Sequence, residues 1–335
     1  MSARFWRGVL LLVVALALQL LGGGCAWTGL GEPDPRDQLE RNEAMPRFWH
    51  ASGSTGADLY LLGSIHLGPI NGWRYPLQID EAFARSSALV VELDPRNVTP
   101  LVQQALVARY GMLTPSESLS DYLSPETLAL LDQHLAKSRL PRAAILRMQP
   151  WMVGNMLVVE AGQRAGYSPR GGVDQGFLER SGERSIVPLE TAEYQMALMA
   201  GLSREVQELA LLDTLNRFDS IEDFLTGMVR AWQVGDDKAL EKLLFESQGD
   251  REGLEPFLEQ LIYRRNHEMS ARLAVLLRAE QHAGESVFVV IGAGHLIGKR
   301  GVRKLLESEG FKIEEVELDS PRRIELAGDD RAIHP

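Results

Sequence analysis

Two short stretches constrain this chain more than its composition does. "LYLLGSIHLG" (residues 59–68) returns as "FVVIGAGHLIG" (288–298), each an apolar run, a glycine and a histidine. The histidines, His66 and His295, stand 229 positions apart (295 − 66). Gly63 opens the first Gly-x-x-His and Gly292 the second. An apolar run that stops at glycine reads as a buried strand feeding a tight turn, because glycine has no Cβ to obstruct the bend. In open parallel sheets, ligands gather outside the carboxyl ends of the strands. If the two strands are parallel neighbours, His66 and His295 meet in one pocket. Each histidine alone is as well explained by a hydrogen bond to nearby backbone. The matching local sequence at both positions favours function.

The rest of the chain surrounds these strands with a regular pattern. "PRFWHAS" and "DLYLLG" read as strands joined by the turn "GSTG". "YPLQIDEAFARSS" reads as a helix, and "ALVVELD" (88–94) as a buried strand stopped by Pro95, giving a strand–helix–strand unit. From 100 to 166 the pattern is helical, with Ser124 as a cap and Pro125 at the first helical position. "GGVDQGFLERSG" is a short helix ending on Gly182, followed by the strand "SIVPLE" and a helical block over 192–284. Strand "SVFVVIG", helix "LIGKRGVRKLLESEG" and strand "KIEEVEL" close the chain. The pattern predicts one α/β domain over 46–320. Its N- and C-terminal parts supply a central, mostly parallel sheet, with a large helical insertion over about 100–170 and 192–284. Residues 321–335 form a tail, and no solenoid repeat is present.

The formal net charge of −11 argues against a nucleic-acid partner held through phosphate contacts. Arg4 and Arg7 precede an apolar run over 9–21, too short for a comfortable membrane span. "LLGGGC" follows, and Cys25 is the sole cysteine. This resembles a bacterial lipobox, although Gly22 stands where a large aliphatic residue is usual. Residues 1–25 therefore read as a signal peptide ending at a lipidated Cys25, and 26–45 as a tether. Cleavage to a soluble form and an uncleaved anchor are the alternatives. The expected location is the bacterial cell envelope, with an N-terminal lipid in a membrane. Ala26, rather than Asp, after the cysteine leans toward the periplasmic face of the outer membrane. With Cys25 so used, the folded part has neither a disulfide nor a thiol nucleophile.

Candidate chemistry gathers at strand ends. Glu92 follows two valines in "VVELD", and a buried carboxylate is costly unless it is paired or binds a metal. Two histidines and a carboxylate are a known ligand set for a divalent ion with open positions. Without a metal, His66 is a candidate general base oriented by Glu92. On the helix "FLEQLIYRRNHEMSARLAVLL", Leu258, Ile262, Met269, Leu273 and Leu276 share a face with Arg265 and Asn266, while His267 points away. An arginine on an apolar stripe needs a partner, either a buried carboxylate or a substrate oxyanion. A salt bridge clamping helix to sheet is the competing reading. Asp174 caps its helix or supports the site. Glu190, at another strand end, is a supporting partner, a fourth ligand or a general base. Trp151 reads as a packing residue. No Gly-x-Ser-x-Gly elbow, His-Glu-x-x-His pair or P-loop is present.

"LLGSIHLG", "VVELD", "GGVDQGFLER", "PLET", "RRNHEM" and "VIGAGHLIG", in this order, resemble the TraB/GumN family, which includes the animal Tiki proteins. The resemblance runs from about Trp49 to the final strand. It implies a fold like that of Tiki, ChaN and erythromycin-esterase proteins, with paired Gly-x-x-His motifs at His66 and His295. The family glutamate matches Glu92, and its Arg-Asn pair matches Arg265 and Asn266. Tiki proteins are described as metal-dependent peptidases. By this resemblance, His66, Glu92 and His295 hold a zinc, manganese or cobalt ion for hydrolysis of a peptide or protein substrate. Arg265 steadies the oxyanion or orients Glu92, and Glu190 is a further catalytic candidate. Gly63, Asp174, Asn266 and Gly292 support them. The alternatives are a non-catalytic envelope protein that binds peptide or haem, and a metal-free esterase with His66 as base.

Overall fold

The computed structural model describes residues 42–138, 140–246 and 258–319. Residues 1–25 with Cys25, the tether up to residue 41, and the tail 321–335 lie outside the described residues. Among the described residues there are eight strands: β1 (Phe48–Ser52), β2 (Asp58–Ser64), β3 (Gly68–Pro69), β4 (Ala88–Val91), β5 (Tyr167–Ser168), β6 (Ser185–Pro188), β7 (Ser286–Gly292) and β8 (Lys312–Glu315). Six of them form one sheet in the order β6-β4-β7-β2-β1-β8, while β3 and β5 pair separately. β6, β4, β7 and β2 are parallel neighbours; β1 is antiparallel to both β2 and β8. The α/β architecture with a mostly parallel sheet is thus observed. β2 and β7, 229 positions apart at their histidines, lie side by side with Gly63 opposite Ile291 and Ser64 opposite Gly292.

The alternation of each strand sorts its side chains onto two covered faces. Val90, Val289 and Ile291 pack with Met269, Leu273 and Leu277, and with Val302 and Leu306. Leu89, Val91, Phe288 and Val290 pack with Ile79, Phe83 and Phe177 on the opposite face. The helices used below are α1 (Leu77–Arg85), α2 (Pro150–Arg164), α3 (Val173–Arg180), α4 (Arg264–Arg278), α5 (Ala293–Leu296) and α6 (Val302–Ser308). α1 and α3 cover one face, and α4 and α6 cover the other. A separate apolar cluster holds α2 against helices Arg204–Asn216 and Phe218–Gln233.

Three boundaries differ from the sequence expectation. The helix expected from Leu296 onward is two pieces, α5 and α6. Gly298 between them has φ +78°, and a Cβ on Gly301 would stand 2.4 Å from the Ile297 carbonyl oxygen. The helix therefore breaks where those glycines permit the turn. β4 ends at Val91, not Asp94, because Asp94 turns to accept from the Arg96 amide and caps a 3₁₀ turn, Pro95–Asn97. β8 stops at Glu315, an exposed edge strand with a single partner. Elsewhere the local signals hold. Ser124 accepts from the Thr127 amide with Pro125 inside the helix, and Gly182 takes φ +58° just past α3.

Candidate active site

The parallel strands end together, and their ends carry the chemistry. β4 delivers Glu92, β6 delivers Glu190, and β2 and β7 lead into His66 and His295. α3 lies against one side of this rim and α4 against the other. Six polar side chains at the rim are buried: Glu92, Asp174, Glu190, Arg265, Asn266 and His295. The His66 side chain is 7% exposed, so it belongs with them.

Arg265 organises the carboxylates and is fully sealed from solvent. Its Nε and Nη2 donate to Glu190 Oε1 and Oε2, each at 2.7 Å, a bidentate fork. Nη2 also donates to Glu92 Oε2 at 3.0 Å, and Nη1 to the Leu261 carbonyl at 3.1 Å. Leu261 lies in a π-helical stretch, Glu259–Tyr263, directly before α4. Burial opposes the charge on Arg265, but the charge and hydrogen bonds of Glu190, with Glu92, outweigh it and raise its pKa. Glu190 accepts once more from Gln195 Nε2 at 2.9 Å. Arg265 and Asn266 face inward and His267 outward, as the helical periodicity requires.

Glu92 is fixed from its other side as well. Its Oε1 accepts from the Gly292 amide at the end of β7. A Cβ on Gly292 would lie 2.8 Å from that oxygen and 3.4 Å from His295 Cδ2, so this position has to be glycine for the carboxylate to approach. At Gly63 a Cβ would sit 3.0 Å from Ala293, the first residue of α5.

The two histidines are held alike, and their pKa values are pushed in opposite directions. His295 Nδ1 stands 2.6 Å from Asn266 Oδ1, and Asn266 Nδ2 donates to the Arg300 carbonyl at 2.8 Å. A carbonyl only accepts, so the amide orientation is set and His295 Nδ1 carries the hydrogen. Burial and the charge of Arg265 push the His295 pKa well below its ordinary value. The neutral ring leaves a lone pair on Nε2, which lies 3.7 Å from Glu92 Oε1, beyond hydrogen-bond reach. His66 Nδ1 bonds Asp174 Oδ2 at 2.8 Å. Burial opposes its charge, but Asp174, by charge and hydrogen bond, and Glu92 together raise its pKa. Both imidazoles follow the carboxyl ends of parallel neighbouring strands, β2 and β7.

These contacts decide between sequence alternatives. Asp174 does not cap α3, whose N-cap is Gly172 with no side-chain cap; it orients His66. For that reason the partner of His66 through Nδ1 is Asp174, not Glu92. Arg265 is occupied by two carboxylates and a carbonyl, the clamp of the two readings. Both Glu190 oxygens are engaged, which makes Glu190 the partner of Arg265. Trp151 packs, 2% exposed, with Nε1 donating to the Tyr110 carbonyl. Sequence reasoning did not find Gln195; an amide five residues past Glu190 on the next helix was its only signal.

A carboxyl–histidine pair and an amide–histidine pair, each leaving Nε2 as the second nitrogen, are the arrangement that orients metal-ligating imidazoles. Among the described residues, no three His, Cys, Asp or Glu side chains already form a metal cage. The donor chemistry nonetheless fits a cation. The 3.7 Å from His295 Nε2 to Glu92 Oε1 is close to the ~3.4 Å between two ligands of a tetrahedral ion with bonds of about 2.1 Å. Three buried carboxylates (Glu92, Glu190 and Asp174) face one permanent cation, Arg265, so the rim carries a deficit of positive charge.

The sequence profile of the TraB/PrgY/gumN family matches residues 47–315. Metalloprotease TIKI1 of Danio rerio is 25% identical, across 82% of this chain and 66% of its own. Metalloprotease TIKI2 of the same fish is 27% identical, across 78% and 59%. The uncharacterized protein YbaP of Escherichia coli is 28% identical, across 52% of this chain and 63% of its own. The chain thus spans less than two thirds of the length of these relatives. No solved structure matches it significantly.

Proposed function

The chain belongs to the TraB/PrgY/gumN family, and on that premise we propose that it is a metal-dependent hydrolase of the peptidase class. The observation that carries this reading is the rim itself. It holds a buried surplus of carboxylates beside two imidazoles that are each oriented through Nδ1. An excess of buried negative charge is costly, and a divalent cation relieves that cost. The resemblance to the two metalloproteases supports the same class. His66, His295 and Glu92 would hold the ion, of the zinc, manganese or cobalt kind. When bound it supplies Lewis acidity toward a carbonyl oxygen and acidifies a water.

The chain's own residues do the positioning. Asp174 and Asn266 fix the rings of His66 and His295. The Gly292 amide and Arg265 hold Glu92 by one oxygen each, and Glu190, braced by Gln195, holds Arg265 in turn. Arg265 orients Glu92; its position between two carboxylates leaves it poorly placed to meet an oxyanion. The substrate class is a peptide or protein. The location is the cell envelope, supported by Arg4, Arg7, the apolar run 9–21 and Cys25. Among the described residues no helix is long and apolar enough to cross a membrane.

A second reading rests on the His66–Asp174 pair, which is also the geometry of an oriented general base for metal-free ester hydrolysis. One experiment separates the two. Purified full-length protein is analysed for bound metal, then assayed on peptide and ester pools with and without chelator. The peptidase reading expects bound metal and peptide cleavage that chelation and His66→Ala each abolish. Chelator-resistant ester cleavage replaces it with the second reading. Cleavage unchanged in His66→Ala removes both.

A further inference from the structure

The described chain begins beside the candidate site. β1 runs antiparallel to β2, with Phe48 opposite Leu62, so residues 42–47 lie at the rim end of the sheet. The Met45 amide donates to the Gln233 carbonyl at 2.7 Å, and the Ala44 amide to the Arg74 carbonyl at 3.0 Å. Trp73 packs its ring against Trp232, with centroids 4.9 Å apart. Trp232 Nε1 in turn donates to the Gly63 carbonyl at 2.7 Å, at the end of the strand that leads to His66. Segments 42–47, 66–77 and 232–237 thus meet at one end of the domain, and His66 lies on one of them.

These segments share a surface that folding alone does not require. Met45, Ile70, Leu77 and Val234 are four of the eight large apolar side chains exposed among the described residues, and all four lie here. Ile70 is 49% exposed, in a turn closed by the Gly72 amide on the Pro69 carbonyl, with Gly72 at φ +71°. Half-buried aromatic rings belong to the same turn and its strand partner: Trp73, and Tyr167, which pairs with Pro69. Scattered apolar residues are ordinary on a surface; gathered in three contacting segments, they mark a contact face. The sequence before this face says what covers it. It carries the apolar run 9–21 and Cys25, the reading of which is a membrane attachment. The 16 residues from 26 to 41 reach at most about 55 Å when fully extended, so such an attachment tethers the domain by its rim end. Tryptophan and tyrosine beside an aliphatic tip suit a lipid–water boundary. A net charge of −11 offers no attraction to anionic headgroups, which leaves apolar burial as the driving force.

We propose that this face rests on a lipid bilayer, with Met45, Ile70 and Val234 entering the headgroup boundary, so that the candidate site works at the membrane surface. His66 stands four residues before Ile70, and the contact holds its loop against the lipid. A substrate reaching the rim from that side is a polypeptide segment lying close to the bilayer. The bilayer contact stands apart from the peptidase reading, whereas the position of the substrate rests on it.

The test uses the full-length chain with Cys25→Ser, so that one added cysteine takes a nitroxide label, reconstituted through its apolar run into phosphatidylcholine vesicles. The label is placed by Asn71→Cys, exposed beside Ile70, or by Gln281→Cys, exposed before the start of β7 at the opposite end of the sheet. Electron paramagnetic resonance reads collisions with oxygen, which concentrates in lipid, and with a water-soluble nickel chelate. The label at position 71 is expected to be several-fold better shielded from the chelate than the label at 281, in low and high salt alike. Ile70→Ser together with Val234→Ser is expected to remove that difference; both side chains are on the surface, so the fold is kept. Equal access at the two positions overturns the proposal. A difference that survives the two serines, or that salt abolishes, overturns it as well, because apolar burial then does not make the contact. On the same vesicles, a lipid-anchored peptide is expected to be cleaved faster than the same peptide in solution. Shielding at 71 with cleavage of neither peptide removes the peptidase reading and leaves the membrane contact in place; cleavage without shielding does the reverse.

Discussion

Replacing Arg265 by glutamine deletes the single permanent cation among the buried carboxylates of the rim. The side chain makes three hydrogen bonds to carboxylate oxygens, at 2.7, 2.7 and 3.0 Å, and one to a carbonyl at 3.1 Å. Charge-assisted hydrogen bonds contribute about 1.5–3 kcal/mol each, which sets an upper bound near 9 kcal/mol for the three. The carboxylates limit the damage by taking up a proton, and removing one partner of a buried ion pair costs about 3–5 kcal/mol in practice. That range is a large share of a typical domain's stability of about 5–15 kcal/mol. The proton uptake has a sign. Buried negative charge that has lost its counter-ion costs most when it is fully ionised, so the variant's loss is smaller in acid and grows as pH rises. Urea denaturation of chelator-treated wild type and variant, at pH 5 and pH 8, measures both effects, with the larger loss expected at pH 8. Adding Glu190→Gln should restore part of the stability, because it removes one of the two stranded charges. A loss below about 1 kcal/mol, where exposed pairs fall, would show that Arg265 is not the counter-charge. A loss independent of pH, or a double variant weaker than the single, would refute the charge argument.

Other expectations follow from the same contacts. Gly292→Ala puts a methyl group 2.8 Å from Glu92 Oε1, so thermal melts should show an overpacking cost of about 1–3 kcal/mol and peptide hydrolysis should fall more steeply than stability. Asp174→Asn weakens the hold on His66, and competition against a chelator should show metal affinity lowered by roughly 10–100-fold. Asp237, next to Arg47 and Arg303, has its pKa raised from 3.8 to about 6 by burial, which outweighs those arginines. Its folded pKa exceeds its unfolded one, so its contribution is present in acid and lost as pH rises from about 4 through 6. Discounted for solvent screening, Asp237→Asn should stabilise by about 1 kcal/mol at pH 7–8, and by little at pH 4, in the same urea assay. His295 works in the opposite sense. Its depressed pKa means that the metal-free native protein loses stability as pH falls below about 6.5, the unfolded value, and His295→Gln should flatten that part of the profile.

Much of the frame was legible in advance. β7 occupies the expected "SVFVVIG", the Ser124 cap forms, and Arg265 and Asn266 face inward while His267 faces out. Period-2 and period-3.6 patterns are local, and they sort side chains without reference to the rest of the chain. The break between α5 and α6 was missed because the apolar spacing continues across Gly298 and Gly301. Only close approach of the backbone at those glycines reveals the turn. Asp174 was ambiguous for a related reason. An acid in the first turn of a helix satisfies a capping pattern whether or not it caps.

The amino-acid order by itself determined the elements, the two glycine-led turns and the identity of the polar groups set among apolar neighbours. Tertiary structure alone decided what those groups are to one another. Glu92 meets the Gly292 amide across 200 positions, Arg265 meets Glu190 across 75, and His66 meets Asp174 across 108. It also decided that two histidines in matching motifs differ, one pushed toward the charged form and the other held neutral. Charge state follows from burial and from the distance to other charges, and neither is a property of neighbouring letters in a chain.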